Sequence, residues 1–135
     1  MTSMEGRVSE GAKWCDRHAP GWFAKIDTDR LLLSSCSRCV LGQLFGSYAR
    51  IVDLESRISA IHSMRQHWWG RAHGFTLDHR LDVPAVGGPD SDKRWEERAR
   101  QFGILRDLWV TEILSRQFIA KHEQAAQPQP VAVEA

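Results

Sequence analysis

The sequence lacks any long apolar run. No stretch approaches the ~18 consecutive apolar residues that a membrane-spanning helix needs. The N-terminal segment MTSMEGRVSEGAKW has no apolar region of the kind that a secretory signal contains. We therefore expect no membrane partner and a cytoplasmic location.

The sequence also lacks a charge excess of either sign. Lys and Arg total 18 against 17 Asp and Glu, which leaves a formal net charge of +1. A dedicated nucleic-acid binder usually carries a clear basic excess. The balance argues against that class and leaves only a local basic face open.

Cysteine is scarce, with three residues in the chain. An odd number in a protein expected to be cytoplasmic favours free thiols or metal ligands over a disulfide framework. Two pairs have knuckle-like spacing: Cys15 with His18, and Cys36 with Cys39. Zn²⁺ prefers four sulfur and nitrogen ligands, so these four residues are a candidate zinc site. The alternative is that Cys15 and Cys39 are core residues, because reduced cysteine behaves as a small hydrophobe.

A redox role for Cys36 and Cys39 is a weaker interpretation. A Cys-x-x-Cys pair at a helix N-terminus can form a stabilised thiolate. The thioredoxin version follows a β-strand, and the sequence before Ser34 predicts none.

Catalytic motifs are absent as well. The sequence has no His-Glu-x-x-His, no Gly-x-Ser-x-Gly and no phosphate-binding glycine loop. We therefore expect a protein that is not an enzyme and that carries no cofactor, with zinc as the one possible exception.

What is present has helical periodicity, and no useful run alternates between apolar and polar residues. The prediction is an all-α fold, a small bundle of four to five helices. A flexible N-terminus spans residues 1–8, a single helical domain spans 9–123 with a linker-like loop at 81–92, and a disordered tail spans 124–135.

The clearest helix begins near residue 38. Its wide apolar face is formed by Val40, Leu41, Leu44, Phe45, Tyr48, Ile51 and Val52. Gly42 and Gly46 lie with Cys39 and Ala49 in a second stripe of small residues, which predicts that another helix packs there. The pattern continues to residue 69, and we expect a break near 53–56.

Two further segments carry candidate partner-binding residues. The segment 65–80 mixes basic and aromatic side chains, of which the candidates are Arg65, Trp68, Trp69 and Arg71. Such a mixture is typical of a protein interface, could hold single-stranded nucleic acid, or could be partly core.

The C-terminal helix, expected over 104–122 after a kink or break at Gly103, contains Trp109 and Phe118. It is apolar on more than one side, which predicts a second partner: a host or phage protein, or a second copy in a homodimer.

Three segments carry a family resemblance: GAKWCDRHAPGWFAKID at 11–27, CVLGQLFGSY at 39–48 and AHGFTL at 72–77. Together they resemble a family of small uncharacterised proteins of actinobacteria and their phages, marked by Pro-Gly-Trp and Cys-Val-Leu-Gly-Gln motifs. Similar proteins tend to have an aliphatic residue at the position of Cys15. The resemblance implies a phage or actinobacterial origin and no established activity.

The leading functional prediction is a small cytoplasmic phage-type accessory protein that acts through protein contacts without catalysis. The alternative is a zinc-stabilised module, with Cys15, His18, Cys36 and Cys39 as ligands, that contacts nucleic acid.

Overall fold

The structure is a computed structural model that describes residues 3–58, 66–78, 81–83 and 92–126, with side chains described over 3–55, 69–78, 81–83 and 93–123. Within these ranges the chain forms helices and no strand, which confirms the all-α prediction. The helices are α1 (Met4–His18), α2 (Val40–Phe45), α3 (Tyr48–Ile58), α4 (Gln66–Ala72) and α5 (Asp92–Ala126), with a 3-10 turn at Trp22–Ala24.

Helix α1 begins at Met4, so residues 4–8 are helical and not the flexible end that the sequence suggested. The hydroxyl of Ser3 caps the helix by accepting a hydrogen bond from the Gly6 N–H at 3.0 Å. Arg7 and Val8, in the second turn, are buried. A cap and buried side chains together hold the terminus in place.

The core is a cluster of five aromatic rings contributed by separate parts of the chain. Trp109 of α5 stacks on Phe75 at 5.2 Å and meets the edge of Trp22 at 5.8 Å. Trp14 of α1 contacts Phe75 at 5.9 Å and Trp69 of α4 at 5.3 Å. Each such pair contributes about 0.5–1.5 kcal/mol beyond the burial of its surface.

The predicted long helix breaks at Gly46, which makes the expected break near 53–56 wrong. Gly46 has φ +90° and closes α2, with its N–H bonded to the carbonyl of Gly42 at 2.8 Å. This left-handed conformation is the usual helix C-cap of glycine. A Cβ at Gly46 would meet nothing within 4 Å, so Gly46 is a helix terminator and not the predicted packing residue.

Gly42 does lie at a close approach, although no second helix is involved. A Cβ there would come within 2.5 Å of the Ser37 carbonyl carbon and 2.7 Å of its Cα. The neighbour is the loop just before α2, folded back on the helix, so the prediction was right about the approach and wrong about the partner. Ala49, in the same predicted stripe, is exposed.

Helix α5 is one continuous helix of 35 residues, so the predicted break at Gly103 is wrong. Gly103 is exposed inside the helix, and a Cβ there would meet nothing within 4 Å. Beyond it Leu105, Trp109 and Ile113 are fully buried. Their burial stabilises the helix against the local cost of glycine. The helix runs past the expected end at His122, and residues 127–135 of the predicted tail lie outside the described residues.

Substitution of glycine by alanine should have opposite effects on the free energy of unfolding at Gly11 and at Gly103. A Cβ at Gly11 would collide with the carbonyl oxygen of His73 and lie 2.9 Å from the ring of Trp109. We expect Gly11→Ala to lower the free energy of unfolding by about 2 kcal/mol. Gly103→Ala should raise it by about 0.5–1 kcal/mol, because the site is helical and open. Urea denaturation of both variants measures this, and equal effects would contradict the packing at Gly11.

Candidate functional site

Cys15 is a core residue of α1. Its side chain is fully buried among the apolar residues of the core. Burial, with a smaller effect from the neighbouring Asp16 carboxylate, raises the pKa of the Cys15 thiol to about 12. The thiol is therefore protonated at neutral pH, while a zinc ligand must be a thiolate.

His18, the second candidate ligand, lies at the exposed end of α1. Its Nδ1 is 2.9 Å from the carbonyl oxygen of Trp14, and its ring stacks on the Trp14 ring at 4.3 Å. A carbonyl only accepts hydrogen bonds, so Nδ1 is the donor in this contact. The imidazole covers one side of the aromatic core.

Cys39 is the N-cap of α2. Its Sγ accepts a hydrogen bond from the Gly42 N–H at 3.3 Å, in the position that a serine oxygen usually takes. Burial raises the pKa of the Cys39 thiol. Cys39 therefore has a structural role, as the core alternative proposed.

Cys36 is the exposed thiol of the three. Its Sγ is 3.4 Å from the hydroxyl of Ser47, just before α3. This hydrogen bond, followed by the backbone N–H of Ala49, lowers the pKa of the Cys36 thiol. The side chain is thus both accessible and more easily ionised than an ordinary cysteine.

The four candidate ligands do not form a metal group in the described parts of the chain. Within those parts, no set of three or more His, Cys, Asp or Glu side chains is close enough to hold an ion. Cys15 packs in the core and Cys39 caps α2, so both have structural roles without a metal. The zinc-stabilised module stays a prediction, and binding at these residues would require α1 and the α2 cap to rearrange.

Two of the predicted partner-binding tryptophans are core residues, which corrects that part of the prediction. Trp69 and Trp109 are both buried in the aromatic cluster. The Nε1–H of Trp109 donates to the carbonyl of Gly74 at 2.6 Å, so its one polar atom is also satisfied. Arg65 and the side chain of Trp68 lie outside the described residues.

Arg71, another candidate, belongs to a structural ion network. Its Nε and a terminal nitrogen donate to the carboxylate of Asp82 at 2.8 and 3.0 Å. Arg7 of α1 reaches the same carboxylate at 3.2 Å, and the side chains of Arg7 and Asp82 are each 6% exposed. The network ties α1, α4 and the segment after α4 together. The sequence did not indicate it, because Arg7 lay in the presumed flexible end and Asp82 in the presumed linker.

An ion pair and several hydrogen bonds attach α5 to the N-terminal half of the chain. Arg116 donates to both carboxylate oxygens of Asp16, at 3.2 and 3.1 Å, and Trp22 donates to the same carboxylate at 2.8 Å. Arg106 donates to the carbonyls of Leu31 and Thr28, at 3.0 and 2.7 Å. No sequence motif predicts these contacts, because they join residues about 75–100 positions apart in the chain.

The side of α5 opposite the core is exposed and partly apolar. Successive helical residues are about 100° apart, which places Leu114 on the opposite side from the buried Leu105. Leu114 is 52% exposed and Phe118 is 64% exposed, with the Phe118 ring 4.2 Å from that of His122. We call this surface the outer face of α5, and it consists of Ile104, Asp107, Val110, Leu114, Phe118 and Lys121.

The sequence predicted a second apolar side on the C-terminal helix, and the outer face corresponds to it. Of the predicted partner-binding residues, Phe118 lies on it. Among the described residues, the other strongly exposed apolar side chains are Leu32, Leu54, Leu81, Trp95 and Ile119. Trp95, in the first turn of α5, and Ile119 lie away from the outer face, and the other three come from separate segments.

None of the helices in the described ranges is long and apolar enough to cross a membrane. Comparisons of the chain with protein-family models, with curated proteins and with solved structures gave no match. The resemblance to small actinobacterial and phage proteins stays a prediction, and the geometry of the molecule carries the functional argument.

The three cysteines should react with thiol reagents in two classes. Cys36 is exposed with a lowered pKa, so we expect one thiol to react rapidly in the native protein and at a lower pH than free cysteine does. Cys15 and Cys39 should react only on unfolding. Iodoacetamide labelling followed by mass spectrometry measures this, and Cys36→Ser should remove the fast class. Fast labelling of native Cys15 would contradict its position in the core.

The ion pairs of Asp82 should make a contribution to stability that is lost at low pH. Burial alone would raise the pKa of this carboxyl, but the hydrogen bonds from Arg71 and the Asp78 backbone outweigh it, and the pKa is lowered. A lowered folded-state pKa stabilises the protein above the ordinary carboxyl pKa, and this stability is lost as the pH falls through the folded value. Asp82→Asn should cost about 3 kcal/mol at pH 7, because it leaves Arg7 buried without its counter-charge.

Urea denaturation at several pH values tests the role of Asp82. The variant should show a weaker fall in stability toward low pH than the native protein. Asp29→Asn is the matched control, since Asp29 is exposed, and it should change stability by less than about 0.5 kcal/mol. Equal losses in both variants would contradict the network.

Proposed function

We propose that the protein is a small phage-type accessory protein that acts through protein–protein contacts without catalysis, and that the outer face of α5 is its binding surface. The observation that carries the proposal is the exposure of Ile104, Leu114 and Phe118 on the side of α5 that lies opposite its buried core residues. The phage-type assignment rests on the Pro-Gly-Trp and Cys-Val-Leu-Gly-Gln resemblance.

Exposed apolar residues on a soluble protein are usually scattered singly over the surface. A group of them on one side of a helix marks an interaction surface. Helix-mediated recognition uses anchors three, four and seven residues apart. Val110, Leu114 and Phe118 follow one another at intervals of four residues on the outer face. Aromatic residues such as Phe118 are favoured at the centre of interfaces.

The anchoring of α5 supports the same role. Trp109 fixes the helix in the aromatic core, and Arg106 and Arg116 attach it to the N-terminal half. A surface on such an element is already in its binding conformation, which lowers the entropic cost of association. The outer face is therefore a rigid platform.

Several titratable side chains have structural roles, which also supports a non-catalytic role. Asp82 and Asp16 are held in ion pairs with arginines. The rings of His18 and His73 stack on tryptophans, and their Nδ1 atoms lie 2.9 and 2.8 Å from backbone carbonyls. These groups hold the domain together.

Leu114→Asp tests the binding surface. We expect it to abolish capture of partner proteins when the immobilised protein is exposed to an actinobacterial lysate, because a carboxylate would be buried without a counter-charge in the interface. Folding should be unchanged within about 0.5 kcal/mol, since Leu114 is exposed. Quantitative mass spectrometry of the captured proteins gives the result.

Leu54→Asp is the matched control, because Leu54 of α3 is also a leucine with 52% exposure and lies off the outer face. It should leave capture unchanged, and Phe118→Asp should reproduce the loss. If Leu54→Asp reduces capture as much as Leu114→Asp, the outer face is not the binding surface.

A further inference from the structure

We propose that the outer face of α5 binds a second copy of this chain, antiparallel, with the two-fold axis passing at Leu114. The proposal rests on the proposed function, since it names the partner of the same surface. The observation behind it is the arrangement of charged residues on the outer face. In an antiparallel pair of helices this arrangement places opposite charges against each other, whereas in a parallel pair it would place like charges together.

The complementarity follows from spacing along the helix. A two-fold axis at Leu114 places each residue opposite the one that lies equally far on the other side of Leu114. Asp107 and Lys121 each lie seven residues from Leu114, on opposite sides. Seven residues are close to two helical turns, so both side chains return to the face of Leu114.

The axis therefore brings opposite charges together twice. Asp107 of one copy faces Lys121 of the partner subunit, and the same pair recurs on the other side of the axis. The Asp107 carboxylate lies 3.9 Å from the Arg106 guanidinium, but its side chain is 80% exposed and solvent screens this pair. Lys121 is exposed too, so both side chains can reach an intermolecular contact. A parallel arrangement would place Asp107 opposite its own counterpart, which is repulsive.

The apolar residues match about the same axis. Val110 and Phe118 each lie four residues from Leu114, on opposite sides. The half-buried valine therefore faces the exposed ring of Phe118 of the partner subunit, and Leu114 faces its own counterpart. A small side chain opposite a large one lets two helices approach, and the charged pairs lie at the two ends of the apolar contact.

The α5 of each copy supplies this contact, so the interface is at the small end of the range for specific dimers. We expect reversible association with a dissociation constant in about the micromolar range. Charge pairs at the rim are screened by salt, so the dimer should weaken as the ionic strength rises.

Charge exchange tests the orientation. Asp107→Lys and Lys121→Asp should each weaken the dimer about five- to tenfold, because each creates two like-charge contacts in place of two ion pairs. The double variant D107K/K121D should return to within about twofold of the native dissociation constant. Sedimentation equilibrium over a range of concentrations measures all four proteins, with Leu54→Asp as the control that should dimerise normally.

The outcomes separate this inference from the proposed function. A native protein that stays monomeric at millimolar concentration overturns the second-copy proposal, and Leu114-dependent capture of another protein would then leave the proposed function standing. Single variants that dimerise as tightly as the native protein, or a double variant that stays weak, overturn the antiparallel register. Circular dichroism of each variant confirms that any loss is not one of folding.

Discussion

The contact on which the rest of the structure depends is the packing of Trp109 at the centre of the molecule. Its ring stacks on Phe75, meets the edge of Trp22 and lies over Gly11 of α1. Its one polar atom donates to the carbonyl of Gly74. A single side chain thus joins the N-terminal helix, the turn after it, the segment after α4 and the C-terminal helix.

Trp109 is buried on one side of α5, and Leu114 and Phe118 on the opposite side are exposed. Arg106 and Arg116 hold the helix in this orientation through hydrogen bonds to the N-terminal half of the chain. The exposed apolar residues on that side form the surface that we propose a partner covers. The constraint that stabilises the domain therefore also presents its proposed binding surface.

The sequence predicted the helical class and the apolar face around Val40, since both depend on local periodicity. Its errors came from residues whose roles depend on distant neighbours. Gly46 and Gly103 look alike in sequence, yet one ends a helix with a positive φ and the other lies inside a helix held by packing. Trp69 and Phe118 were equal candidates for a surface, and only their tertiary positions distinguish them.

By itself, the sequence determined that the protein is all-helical, that α5 is apolar on two sides, and that its charges balance. These properties follow from the order of the side chains along a helix. Only the tertiary structure decided which side of α5 is buried, that Cys15 and Cys39 serve packing and capping, and that Arg7 and Arg71 share the carboxylate of Asp82. Those facts depend on contacts between residues far apart in the chain, which no local pattern encodes.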